Sequence, residues 1–343
     1  MWSDERCSGS CSGFVSRSGE REVKVRSRLD NIFSKMKNGK TFNVLTLDGG
    51  GAKGVYTLGI LQELEAAVNK PLCQFFDAIY GTSTGAIIAA LLGIGATTED
   101  ALALYMKYVP TILKPLRASG RSTALARTAD ELFGERTFED FQTFIGIVAT
   151  NWTLERPLIF KSSIEAAHGL KATFVPGFGA TISTAIQASC CASPFFEERT
   201  INLGVAGNVE ARDGGFSANN PSLFAITDAL KSFKHKAGDI RLLTLGVGHY
   251  PEKRRWWGFL TKTGFGHLLQ KTLSVNANTT ETLIRFLCDD IKHLRISERF
   301  EHPELATDFL ECRKNKLEQL ILRGRESFGK DEAKVRDLFD NYA

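Results

Sequence analysis

The stretch that most constrains this chain is Phe75-Phe76-Asp77-Ala78-Ile79-Tyr80-Gly81-Thr82-Ser83-Thr84-Gly85-Ala86-Ile87-Ile88-Ala89-Ala90. A short apolar run enters Gly-x-Ser-x-Gly and passes at once into an alanine- and isoleucine-rich segment of helical character. That order of strand, tight turn and helix is a nucleophile elbow. A serine at the apex of such a turn holds its Oγ clear of the backbone. Gly81 and Gly85 keep side chains out of the crowded space between strand and helix. The helix beyond turns its N–H groups and positive dipole end toward the serine and toward any negative charge that its reaction develops.

A second glycine-rich turn lies upstream. Phe42–Leu47 reads as a buried strand, Asp48-Gly49-Gly50-Gly51-Ala52-Lys53-Gly54 as a loop, and Val55–Val68 as a helix with apolar positions at Val55, Leu58, Leu61, Leu64 and Val68. Successive glycines let a backbone approach a ligand closely and leave N–H groups aimed at an anion. Gly49-x-Gly51-x-x-Gly54 formally satisfies the dinucleotide-binding fingerprint, with Asp77 near the spacing of a ribose-binding acid, so an oxidoreductase is one reading. It is not a Walker A loop, because Lys53 is followed by Gly54. The other reading is an oxyanion hole serving Ser83, and the elbow on the next strand favours it. Asp77 then has the plain role of a polar residue entering that strand.

These two elements, in this order and this close together, resemble the patatin-like phospholipases. Two later blocks extend the match. Ala188-Ser189-Cys190-Cys191-Ala192-Ser193-Pro194-Phe195-Phe196 is similar to the family's small-residue helix end with proline and an aromatic. Asp213-Gly214-Gly215, followed by Asn219-Asn220-Pro221, is similar to its catalytic aspartate block. The resemblance runs from about residue 42 to 250. It implies an α/β fold of three layers (α/β/α) around a central, largely parallel sheet. It implies Ser83 as nucleophile and Asp213 as general base in a dyad without histidine. The loop of Gly49, Gly50 and Gly51 would form the oxyanion hole through the backbone N–H groups of Gly50 and Gly51, with Gly54, Gly81, Gly85, Gly214 and Gly215 as supporting glycines. No metal or resident cofactor is implied, so calcium independence is expected. One departure is that Cys190, Cys191 and Ser193 stand where the family more often has alanine, which bears on local packing.

Asp-Gly is common in plain turns, so Asp213 rests on the elbow and the resemblance. A carboxylate can take a serine proton directly if desolvation brings its pKa toward working pH. Histidine is the rival. Ser83, Asp213 and His249 follow the Ser…Asp…His chain order of an α/β-hydrolase triad, and His249 closes the strand Arg241–Gly248.

At 343 residues and 43% hydrophobic, the chain can bury a substantial core. A net charge of +4 suits an anionic surface without indicating a nucleic acid polymer. Seven cysteines without CxxC spacing argue against a disulfide framework and a zinc site, which leaves reduced cytosolic thiols as the expectation. The N-terminus lacks the apolar core of a secretory signal, and no run approaches a membrane span. A cytoplasmic protein that meets phospholipid membranes peripherally is therefore expected.

Residues 1–40 read as a flexible basic arm, 41–262 as the catalytic core and 263–343 as a helical extension packed on it. Between elbow and aspartate, helices are expected over 86–109, 122–133 and 182–189, with strands over 145–150 and 157–160. The basic stretch Thr111–Ser122 reads as a loop. Lys253, Arg254 and Arg255 beside Trp256 and Trp257 suit a lipid interface, or a loop whose tryptophans pack inward. Further helices are expected over 267–275, 279–293, 303–322 and 330–342. The plain architecture also resembles bacterial patatin-like effectors of anti-phage defence, in which a cyclic nucleotide switches on phospholipase activity against the cell's own membrane. A cyclic dinucleotide activator is thus an expectation beside a constitutive esterase. No motif marks a nucleotide pocket, and the oligomeric state stays open.

Overall fold

A computed structural model describes residues 41–168, 174–204, 207–251 and 262–342. The expected N-terminal arm and Arg254, Arg255, Trp256 and Trp257 lie outside the described residues.

In chain order the principal elements are β1 (Phe42–Leu47), α1 (Gly54–Val68), β2 (Ala78–Thr82), α2 (Thr84–Gly93), α3 (Thr98–Leu113), α4 (Ala118–Phe133), β3 (Phe144–Asn151), β4 (Arg156–Lys161) and α5 (Ile182–Ser189). There follow β5 (Arg199–Asn202), β6 (Asn208–Asp213), α6 (Ser222–Thr227), β7 (Ile240–Leu245), α7 (Lys262–Leu287), β8 (Lys292–Ile296) and α8 (Lys314–Leu338). The strands form one sheet in the order β5-β6-β3-β2-β1-β7-β8, with β4 paired to β3. Pairing is parallel from β3 through β2, β1 and β7 to β8, and antiparallel at β4, β5 and β6. Strands β2, β3 and β7 are buried along their whole length, as a parallel sheet covered on both faces requires.

The two faces differ in chemistry. Leu45 and Leu47 of β1 point into the main core with α1, α2, α3, α5 and α8. Thr46, between them, points the other way, where its Oγ1 meets Ser222 Oγ of α6 at 2.7 Å and Thr244 Oγ1 of β7 at 3.1 Å. Helices therefore flank both sides of the sheet, in the expected three layers.

Several expectations differ from the fold. The helix expected over 86–109 is two helices, because Gly95 adopts φ +93° and Thr97 caps α3 by accepting the Asp100 N–H. The expected loop 111–122 is mostly helical. Helix α3 continues through Pro110 to Leu113, where burial of Ile112 and Leu113 compensates the hydrogen bond that proline cannot make. The largest difference is C-terminal. The helices expected over 267–275 and 279–293 are one helix, α7, followed by a strand, and those over 303–322 and 330–342 are one helix, α8, preceded by a single turn at Pro303–Leu305. The segment 263–343 thus supplies β8 to the sheet as well as helices around it. The charged residues of Lys292-His293-Leu294-Arg295-Ile296 hide its strand alternation, and parallel pairing with β7 fixes it.

Candidate active site

Ser83 stands where β2 ends and α2 begins, with φ 53° and ψ −120°. Few L-residues adopt that conformation, and it stores strain. The surrounding backbone explains the flanking glycines. A Cβ on Gly81 would lie 2.3 Å from the Gly85 carbonyl oxygen, and one on Gly85 would lie 2.3 Å from that of Leu47. The Ser83 N–H donates to Ser189 Oγ at 2.8 Å, and that hydroxyl donates to the Val148 carbonyl at 2.6 Å. With the backbone anchored, Ser83 Oγ donates to Asp213 Oδ2 at 2.7 Å.

Asp213 ends β6, and the antiparallel register with β3 sets it opposite Ala149. Its Oδ1 accepts the Gly215 N–H at 2.8 Å. Gly214 must lack a side chain, since a Cβ there would lie 2.1 Å from the Val148 carbonyl oxygen. The carboxyl is only 2% exposed. Burial pushes its pKa up to about 6, against the opposing pull of the Gly215 N–H and the Ser83 hydroxyl. A buried carboxylate raised in this way can exchange a proton near neutral pH.

The Asp48–Gly54 loop comes off β1, beside β2, at the same edge of the sheet. Its peptides are pinned through their carbonyls. Gly49 O accepts Asn219 Nδ2 at 3.2 Å, Gly50 O accepts the Lys53 N–H at 3.3 Å, and Gly51 O accepts Tyr105 Oη at 2.6 Å. The Gly49 N–H donates to the Asn219 carbonyl at 3.1 Å. The Gly49 amide is therefore committed to the fold. Of the three glycine amides, only those of Gly50 and Gly51 lack an acceptor among the described residues. Gly51 also needs its φ of +57°, where a Cβ would lie 2.4 Å from the Phe309 carbonyl oxygen. Asp48, 3% exposed, pairs with Arg295 of β8 through Nη2–Oδ2 at 2.6 Å and Nη1–Oδ1 at 3.3 Å. Burial still holds the Asp48 pKa above the usual carboxylate range, with Arg295 pulling it back. Lys53, buried beside this loop, is pushed down to about 8 by burial, with Asp308 and Asp48 opposing.

A cavity of about 110 Å³ opens onto Ser83 and Asp213. Its walls include Val109, Ile112 and Leu125 from α3 and α4, and Leu269, Leu273 and Ala277 from α7. Val109, Ile112 and Leu125 also border a smaller apolar cavity of about 20 Å³ behind it. Walls of this kind suit a hydrocarbon chain.

Two rival readings find no support in the geometry. Asp77 sits at the opposite end of β2 from the glycine loop, where its Oδ2 accepts the Asn43 N–H at 2.8 Å, so it cannot face a ribose held at that loop. His249 borders the cavity, but the partners of the Asp213 carboxylate among the described residues are Ser83 and Gly215. Burial, with Arg295, Arg299 and Lys53 nearby, pushes the His249 pKa down to about 4. Cys190 also borders the cavity as a neutral thiol, its pKa raised by burial and by Asp213. Cys191 packs inward and donates to the Ala188 and Ala211 carbonyls. The described cysteines are free thiols, and the described residues hold no cluster of three metal-ligating side chains.

Sequence reading missed Ser189, Asn219 and Arg295. Asn219 was visible only as part of a block, and Arg295 lies 247 residues from its partner, between two segments read as helices.

The family model of patatin-like phospholipases matches residues 45–226. The chain is 48% identical over 312 residues to a cUMP-AMP-activated phospholipase of Escherichia coli, a match covering 90% of this chain and 97% of that protein. It is 28% identical over 276 residues to a cGAMP-activated phospholipase of Escherichia coli strain TW11681, covering 70% of this chain and 74% of the other. It is 26% identical over 326 residues to the calcium-independent phospholipase A2-gamma of Homo sapiens, covering 88% of this chain and 40% of that larger protein. With the elbow, the glycine loop and the apolar cavity joined at the C-terminal ends of the central strands, this chain belongs to the patatin-like phospholipases, a family of lipid ester hydrolases.

Proposed function

We propose that the chain releases fatty acids from membrane phospholipids through a Ser83–Asp213 dyad, and that a cyclic dinucleotide switches this activity on. The observation that carries the dyad is the 2.7 Å hydrogen bond from Ser83 Oγ to the buried Asp213 carboxylate. Ser83 Oγ attacks the ester carbonyl carbon as Asp213 takes its proton. The Gly50 and Gly51 amides receive the developing oxyanion, and their carbonyl anchors hold them in place beforehand. Asp213 then protonates the departing alcohol, and water releases the acyl group.

Activation by a cyclic dinucleotide is supported by likeness to the cUMP-AMP- and cGAMP-activated phospholipases. The role that fits is an effector of bacterial anti-phage defence that degrades the cell's own membrane. Peripheral contact with that membrane is supported by α7. One side of this helix borders the cavity, while Leu268, Val275 and Phe286 stand exposed on another. No described helix is long and apolar enough to cross a bilayer.

Fatty-acid release from mixed phospholipid vesicles tests the reading, with and without cUMP-AMP and cGAMP. Release by wild type that rises at least tenfold with one nucleotide, and is lost in Ser83→Ala and Asp213→Asn, supports both parts. Full activity in Asp213→Asn sinks the dyad. A high basal rate indifferent to either nucleotide sinks the switch.

A further inference from the structure

Asn219 holds a polar atom that neither the fold nor the dyad uses. The residue is 5% exposed and borders the catalytic cavity. Its Nδ2 donates to the Gly49 carbonyl at 3.2 Å, its own carbonyl accepts the Gly49 N–H at 3.1 Å, and its N–H donates to Asn276 Oδ1 of α7 at 2.8 Å. A peptide carbonyl can only accept, so the Gly49 contact fixes which end of the carboxamide is nitrogen. The remaining atom, Oδ1, is a buried acceptor without a partner among the described residues. Such an oxygen calls for a donor.

Its surroundings indicate which donor. A Cβ on Gly49 would lie 2.6 Å from Asn219 Oδ1 and 3.3 Å from Ser83 Cβ. A Cβ on Gly215 would lie 3.2 Å from Asn219 Oδ1 and 3.0 Å from Asp213 Oδ1. The unused acceptor therefore lies no more than about 6 Å from Ser83 Cβ and from Asp213 Oδ1.

We propose that Asn219 Oδ1 accepts an O–H of the water that hydrolyses the acyl-enzyme, which makes Asn219 a further catalytic residue. This rests on the Ser83–Asp213 reading above. The water oxygen bonds to the acyl carbonyl carbon as one proton passes to the Asp213 carboxylate. The second proton stays on that oxygen, directed at Asn219 Oδ1. Collapse of the tetrahedral intermediate breaks the bond from carbon to Ser83 Oγ, Asp213 returns the proton to Oγ, and the fatty acid leaves. Acylation consumes the hydroxyl of Ser83 and needs no such water, so the two half-reactions respond differently to loss of this acceptor.

The test compares full-length wild type and Asn219→Ala under conditions that give wild-type turnover. Labelling of Ser83 by a fluorophosphonate reports nucleophile, base and oxyanion loop without the water. Stopped-flow turnover of a p-nitrophenyl ester separates acylation from deacylation. Asn219→Ala also removes the anchor on the Gly49 carbonyl, so labelling should fall too; the expected result is a loss in deacylation at least tenfold greater than the loss in labelling. A p-nitrophenol burst and an acyl-Ser83 adduct by mass spectrometry should accompany it. Equal losses in labelling and deacylation overturn the proposal, leaving Asn219 to position the Gly49–Gly50 peptide; unchanged deacylation overturns it too. Label absent from Ser83 in the wild type strikes at the dyad itself. If Asn219→Ala does not fold, a crystal structure of the phosphonylated wild type decides. A water bonded to both Asn219 Oδ1 and Asp213 supports the proposal, and an Oδ1 turned to a protein donor ends it.

Discussion

Ser83 Oγ donates to Asp213 Oδ2 at 2.7 Å although 130 residues separate the two in sequence. The other carboxylate oxygen is held by the Gly215 N–H, so a single oxygen faces the nucleophile. Because burial raises Asp213 to about 6, it must lose its proton before it can accept one from serine. The value of kcat/KM for a soluble ester should therefore fall about tenfold per pH unit below pH ~6 and level off above it. An acid limb near 4 would instead give the base role to His249, whose pKa lies there.

The same burial has a stability consequence. Asp213 ionises at about 6 when folded, against the ordinary aspartate value of 3.8. Between those values the folded state keeps a proton that the unfolded state has lost, so stability falls as pH rises through this window, and the penalty is constant above it. The difference between the two values corresponds to about 3 kcal/mol. Asp213→Asn should therefore be more stable than wild type at pH 8 by about 2–3 kcal/mol. The difference should vanish near pH 4 in urea denaturation, and a gap that does not shrink on acidification would contradict the burial of this charge.

Ser83 sits at φ 53°, where a Cβ is unwelcome and glycine is at ease. Both Ser83→Ala and Ser83→Gly should abolish activity. Thermal melts should nevertheless show Ser83→Gly the more stable of the two by about 1–2 kcal/mol, the reverse of the usual order. Equal melting temperatures would mean that the elbow is unstrained.

Arg295 and Asp48 form a buried pair that ties β8 to the head of the glycine loop. Arg295→Met should cost about 3–5 kcal/mol near neutral pH, because it strands a carboxylate. Adding Asp48→Asn should recover at least half of that loss. A double variant no more stable than the single one would show that the pair does not act as a unit.

Much of the site is local and therefore legible in the sequence. The elbow is written in five consecutive residues, because Gly81 and Gly85 are demanded by backbone atoms within the same strand-turn-helix unit and by the adjoining β1. The glycine loop is written the same way. Its helix begins at Gly54, just after the run of glycines. Asp213 was legible only through its block, since an Asp-Gly turn carries no chemistry by itself.

What the tertiary structure alone decided are the long-range pairings. An antiparallel ladder brought β6 to the sheet and parallel ladders brought β7 and β8, and register, not composition, set Asp213 against Ser83 and Arg295 against Asp48. The availability of Gly50 and Gly51 but not Gly49 depends on the Asn219 carbonyl, about 170 residues away in sequence. The pKa of Asp213 follows from burial, which no local pattern reports. Sequence by itself determined which backbone turns could form; packing determined which charges and donors meet inside them, because hydrogen bonds and desolvation act through space across a sheet whose neighbours are distant along the chain.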